Sequence, residues 1–170
     1  MIRRVAFRKA IVAGATGALV WEVVVRSLIL LGFPLFDLVF MLGTMALGEA
    51  PPWEWWPIGM AIHASVGAIW AIFYAYFFWS TYDWPPAAQG LIFSLGPTVL
   101  AGLVMVPQMS LMHPLVLEGK LPGTGLFGVK LGWGGPCGVL LGHLVYGAVM
   151  GSIYTRPVGY RAGRRVLPHG

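Results

Sequence analysis

The pattern H-x3-G-A-x5-Y occurs twice in this chain, as His63-Ala-Ser-Val-Gly67-Ala68-Ile-Trp-Ala-Ile-Phe-Tyr74 and as His143-Leu-Val-Tyr-Gly147-Ala148-Val-Met-Gly-Ser-Ile-Tyr154. The offset of 80 residues continues upstream without a gap. It pairs Leu31 with Leu111, Pro34 with Pro114, Leu35 with Leu115, Gly43 with Gly123, Thr44 with Thr124 and Gly48 with Gly128. In a chain this rich in Gly, Leu, Ala and Val, about four chance matches are expected over roughly 44 positions, and the ten pairs named here exceed that. The chain therefore reads as a tandem duplication, with one copy over about residues 8–81 and the other over about 88–160 of a single domain covering 1–170.

Each copy is too apolar to fold in water. With 58% hydrophobic and 10% charged residues and a mean hydropathy of +0.77, the 170-residue chain lacks the polar surface to cover itself. An all-α polytopic membrane protein is expected, with four transmembrane helices and no room for a separate soluble module. The net charge of +5 does not indicate a nucleic-acid partner, because most basic residues sit in two terminal clusters flanking apolar segments. Cys137 is the sole cysteine, which excludes an internal disulfide and any CxxC pair.

The four spans are expected at about residues 11–33, 58–79, 89–112 and 137–155. Arg3, Arg4, Arg8 and Lys9 precede the first. They could open a secretory signal, but a signal should release a polar chain, and everything after residue 30 is again apolar. Within this span Glu22 and Arg26 stand at i,i+4, on one helical face, where they can pair and face protein or water instead of lipid. The connection over 34–56 is apolar yet too short to cross, and reads as an interfacial or re-entrant half-helix. The following Trp53-Glu-Trp-Trp56 segment suits headgroup depth, as do Trp79, Tyr82 and Trp84 at the other end of the second span. Pro97 and Pro107 should kink the third span. A second copy of the long connection fills 113–132, with Glu118, Lys120 and Lys130.

Basic residues at both ends, including Arg156, Arg161, Arg164 and Arg165, put both termini in the cytoplasm of an inner-membrane protein by the positive-inside rule. Two spans per copy make the repeats parallel, related by an axis along the membrane normal. Equivalent residues can then face each other across that axis, bringing His63 towards His143 at roughly 9 Å below the surface. Two opposed histidines with small residues one turn away, Gly67-Ala68 and Gly147-Ala148, suit a bis-imidazole haem b, and Arg26 could meet a propionate. The same residues also read without a ligand, the histidines hydrogen-bonding across helices, the glycines allowing close packing and Glu22–Arg26 serving as a structural ion pair. His113 matches Phe33 at the offset of 80 and so has no partner by symmetry, and His169 belongs to the tail, which is expected to be mobile.

No GxSxG, HExxH, P-loop or strand-borne GxGxxG is present, so a non-catalytic protein is expected. Two histidines are too few for a zinc or di-iron site.

The segment Leu140-Leu-Gly-His143-Leu-Val-Tyr-Gly147-Ala-Val-Met-Gly-Ser-Ile-Tyr154 resembles the last helix of an uncharacterised family of small four-span membrane proteins of archaea and bacteria, which carries LL-x-HL-x-YG-x-x-LG-x-x-Y. Gly14-Ala-Thr-Gly17, Asp37 and Leu42-Gly43 look similar too, whereas Glu22–Arg26 and Trp53-Glu-Trp-Trp56 do not match. The resemblance implies a four-span fold. Relatives beside terminal-oxidase genes imply an accessory role in a respiratory or electron-transfer assembly, with lipid and other membrane subunits or a second copy as partners. A small oligomeric transporter or channel using Glu22 and Arg26, or a purely structural scaffold, are the other expectations.

Overall fold

The structure is a computed structural model and describes residues 5–79 and 83–154. The basic residues Arg3, Arg4, Arg156, Arg161, Arg164 and Arg165, together with Tyr82 and His169, lie outside the described residues. No strand occurs among those described.

Among the described residues, four helices are long and apolar enough to cross a bilayer. The first is α1, Phe7–Leu30, and after it comes a shorter helix, α2, Leu38–Leu47. The second span is α3, Pro52–Phe73, extended by a π-helical turn over Tyr74–Phe78. The third is α4, Pro86–Leu100, running through a π-helical turn at Ala101–Met105 into α5, Val106–Met112. A single helical turn, α6, Pro114–Leu117, and a 3-10 stretch over Leu126–Leu131 precede the last span, α7, Gly134–Ile153. Helices are the form in which an apolar chain can satisfy most of its backbone groups internally in lipid.

The spans begin earlier than hydropathy alone suggests, and prolines explain much of it. Pro52 and Pro86 occupy the first turns of their helices, where the missing N–H would have had no partner. Trp53-Glu-Trp-Trp56 is thus the first turn of α3, a correction to its placement in the preceding connection. The two connections also differ. The first contains a ten-residue helix, capped by Asp37, whose side chain accepts from Phe40 N at 2.9 Å. The second is broken into α6 and the 3-10 stretch by Gly119 and Gly125 at positive φ, and Phe127 at 51° interrupts the stretch itself.

Glycine sets the helix spacing. A methyl group built on Gly14 would overlap the Gly67 carbonyl, bringing α1 and α3 into backbone contact, and one on Gly147 would overlap Gly90 and Ser94 on α4. Position 14 corresponds to 94 and 67 to 147 at the offset of 80, so both hairpins pack in the same register. Across the hairpins the match fails. Helix α1 packs on both α3 and α7, and α4 packs along α7. The equivalent fourth interface, α3 against α4, closes only at one end, where Phe93 meets Trp70, Tyr74 and Phe78. Beyond it the two helices part.

Candidate functional site: two histidines at the floor of a lateral pocket

Where α3 and α4 part, a cavity of about 140 Å³ remains. It is open on one side, past the exposed Val66, Leu100 and Met105, and is otherwise walled by apolar side chains of all four spans and α2. His63, His143 and Trp21 line it, and His63 and His143 are 5% and 8% exposed. An apolar cavity of about 150 Å³ takes up one benzene ring, so this space suits a single flat ring.

The π-helical turn forms one wall. Pro107 has no N–H, and its ring crowds the carbonyl four residues back, so the preceding turn widens; Val106 N bonds Ala101 O in the five-residue pattern. Phe127 lays its ring on Gly102 in that turn, where a β-carbon would overlap it. Ala101 lines the cavity, and the residue 80 positions before it is Trp21. A large ring at one position and a methyl at the other leave the space on the α4 side unfilled.

Trp21 contacts both imidazoles. Its ring centroid is 4.7 Å from that of His63, with the planes at 89°, and 4.6 Å from that of His143, at 58°. The indole lies flat on Gly142, where any side chain would collide with it. Below, the Tyr146 hydroxyl donates to Gly67 O at 2.6 Å, tying α7 to α3.

The hydrogen bonds assign the histidine tautomers. His143 Nδ1 lies 2.7 Å from Val139 O. A carbonyl only accepts, so Nδ1 carries the proton and Nε2 keeps a lone pair. His63 Nδ1 is sealed from solvent and has no partner, while Nε2 of neither ring is sealed in this way. A buried donor without an acceptor costs about 1–3 kcal/mol, more than a lone pair left idle, so the proton of His63 belongs on Nε2. The pocket floor thus offers one donor, His63 Nε2–H, and one acceptor, His143 Nε2.

A bis-imidazole haem would draw on the same two rings. Axial ligation needs a lone pair on both Nε2 atoms, and for His63 that would strand the proton on the sealed Nδ1. Trp21 also stands against both rings. Arg26, the expected partner of a propionate, is held by carboxylates. Its guanidinium bonds Glu22 Oε1 at 2.9 and 2.7 Å and both oxygens of Asp37 at 2.5 and 2.8 Å. Glu22 and Arg26 pair as their spacing predicts. Asp37, which sequence reasoning did not include, completes a clamp between α1 and the start of α2, and Trp56 Nε1 adds a bond to Glu22 at 3.4 Å. Gly67 lines the cavity, whereas Gly147 packs against α4 away from it.

His113 is the other residue that symmetry did not flag. It is fully buried, accepts from Leu115 N through Nδ1 at 3.2 Å, and points Nε2–H at Thr44 Oγ1 (3.0 Å) and Met41 O (3.2 Å). Thr44 gives its own proton to Phe40 O, so it accepts here. His113 therefore fastens α2 to the end of α5, and burial pushes its pKa below the usual histidine value against a smaller upward pull from the Met41 carbonyl. No protein-family model, curated protein or solved structure matches the chain.

Proposed function

We propose that this protein is a non-catalytic integral membrane subunit that holds a hydrophobic small molecule between α3 and α4, with its polar end at His63 and His143. The observation that carries this reading is two nearly buried histidines with available Nε2 atoms at the floor of an otherwise apolar pocket that opens sideways from the spans. Buried polar atoms of purely structural side chains are generally hydrogen-bonded. A lateral mouth suits a ligand that arrives from lipid. Such a subunit would work beside a larger respiratory or electron-transfer assembly, as the resemblance of α7 implies, contacting it through the apolar outer faces of the spans. Both termini would then lie in the cytoplasm. The Glu22–Arg26–Asp37 clamp is closed on itself, which favours a structural role for it over a transport path.

Purification from native membranes in mild detergent, followed by solvent extraction and mass spectrometry, tests the reading. An apolar compound should be retained stoichiometrically and lost in Val66→Trp, which plugs the mouth, and a larger complex should co-purify. A native protein free of any such compound, with Val66→Trp indistinguishable from it, overturns the binding role.

A further inference from the structure

We infer that the ligand's head is a neutral hydroxylated ring, as in a phenolic or quinol lipid, held by a hydrogen bond to each of His63 and His143. This rests on the pocket-binding reading above and names the chemistry it selects. Three features converge. The space is that of one flat ring, walled on one side by Trp21, whose indole offers an aromatic surface. The mouth between Val66 and Leu100 leaves room for an apolar tail to run out along the gap between α3 and α4. The floor pairs one donor with one acceptor.

That pairing discriminates among head groups. A hydroxyl is donor and acceptor at once, so it can donate to His143 Nε2 while an oxygen of the same ring accepts from His63 Nε2–H. A fully oxidised quinone carries only acceptors and would leave His143 without a partner. An ether or hydrocarbon ring satisfies neither or one. A phosphate or carboxylate anion meets no cation, since Arg26 is already held by Glu22 and Asp37. The site therefore favours the reduced, hydroxylated ring over its oxidised or blocked forms.

The test is equilibrium binding to the purified full chain in lipid nanodiscs, read by retention of radiolabelled probes that share a decyl tail. The probes are decyl-1,4-hydroquinone, 4-decylphenol, the dimethyl ether of the hydroquinone, and decylbenzene. The hydroquinone or the phenol should bind about tenfold or more tighter than the ether and decylbenzene, the scale of one well-made hydrogen bond. Preference for the hydroquinone over the phenol assigns a quinol source, and equal binding a monophenolic one; both support the inference. His143→Phe should remove the preference. Because the ether comparison uses the unaltered protein, the result does not depend on the variant folding. All four probes binding alike overturns the head-group inference and leaves the pocket reading standing, whereas no binding of any probe overturns both.

Discussion

The indole of Trp21 meets the imidazole of His63 edge to face, with centroids 4.7 Å apart and planes at 89°. Because Trp21 also meets His143 and lies on Gly142, one side chain from α1 fixes the relation of α3 to α7. Trp21→Ala should cost about 3 kcal/mol, the low end for a buried tryptophan, since lipid can take over part of the transfer term. Gly142→Ala should be destabilising as well, because its new methyl displaces the indole. Thermal unfolding in detergent, followed by near-UV circular dichroism, measures both. Unchanged midpoints would mean that Trp21 is not the wedge described.

Two glycines on α4 provide a matched comparison. Gly90 touches the Gly147 carbonyl, and Gly96 faces open space. Gly90→Ala should therefore force α4 from α7 and cost about 1–3 kcal/mol. Gly96→Ala should stabilise slightly, by up to about 1 kcal/mol, through helix propensity. Size-exclusion profiles and melting midpoints of the pair separate close packing from a general intolerance of α4 to substitution.

Arg26 stands between two carboxylates, one of which, on Glu22, is only 5% exposed. Arg26→Met should cost about 3–5 kcal/mol by leaving a buried charge uncompensated. The double variant Arg26→Met/Glu22→Gln should recover most of that loss. Asp37→Ala should cost about 1–2 kcal/mol, as it removes the cap of α2. A double-mutant cycle on unfolding free energies gives the coupling, and additive effects would rule out the clamp.

His113 supplies a pH dependence. Its Nδ1 accepts from Leu115 N, so protonation would set two donors against each other. The folded state holds the pKa below 6.5, and hence the unfolded chain binds the proton more readily. The contribution of His113 is thus complete above about pH 6.5 and is lost as the pH falls through the folded value. The melting midpoint should drop between pH 8 and pH 5, and His113→Gln should shrink that drop at a lower overall stability. An identical pH profile in the variant would count against this assignment.

The spans, the early pairing of Glu22 with Arg26 and the backbone contacts at Gly67 and Gly147 were legible in the sequence. Length, hydropathy and i,i+4 spacing are local properties, and small residues in an apolar helix have few uses other than close approach. From the repeat, His63 and His143 were expected to face each other across an axis; in the structure both line one cavity and share a common feature, contact with Trp21. What the repeat could not supply was the feature itself. Position 21 holds tryptophan and position 101, at the offset of 80, holds alanine, so α1 and α4 present different bulk to the centre of the bundle. Only the tertiary structure decided that an indole stands beside both imidazoles, that α3 and α4 part to leave a pocket, and which nitrogen of each ring bears its proton. Those outcomes depend on which side chains from distant segments compete for the same space, and no periodicity along a single chain records that competition.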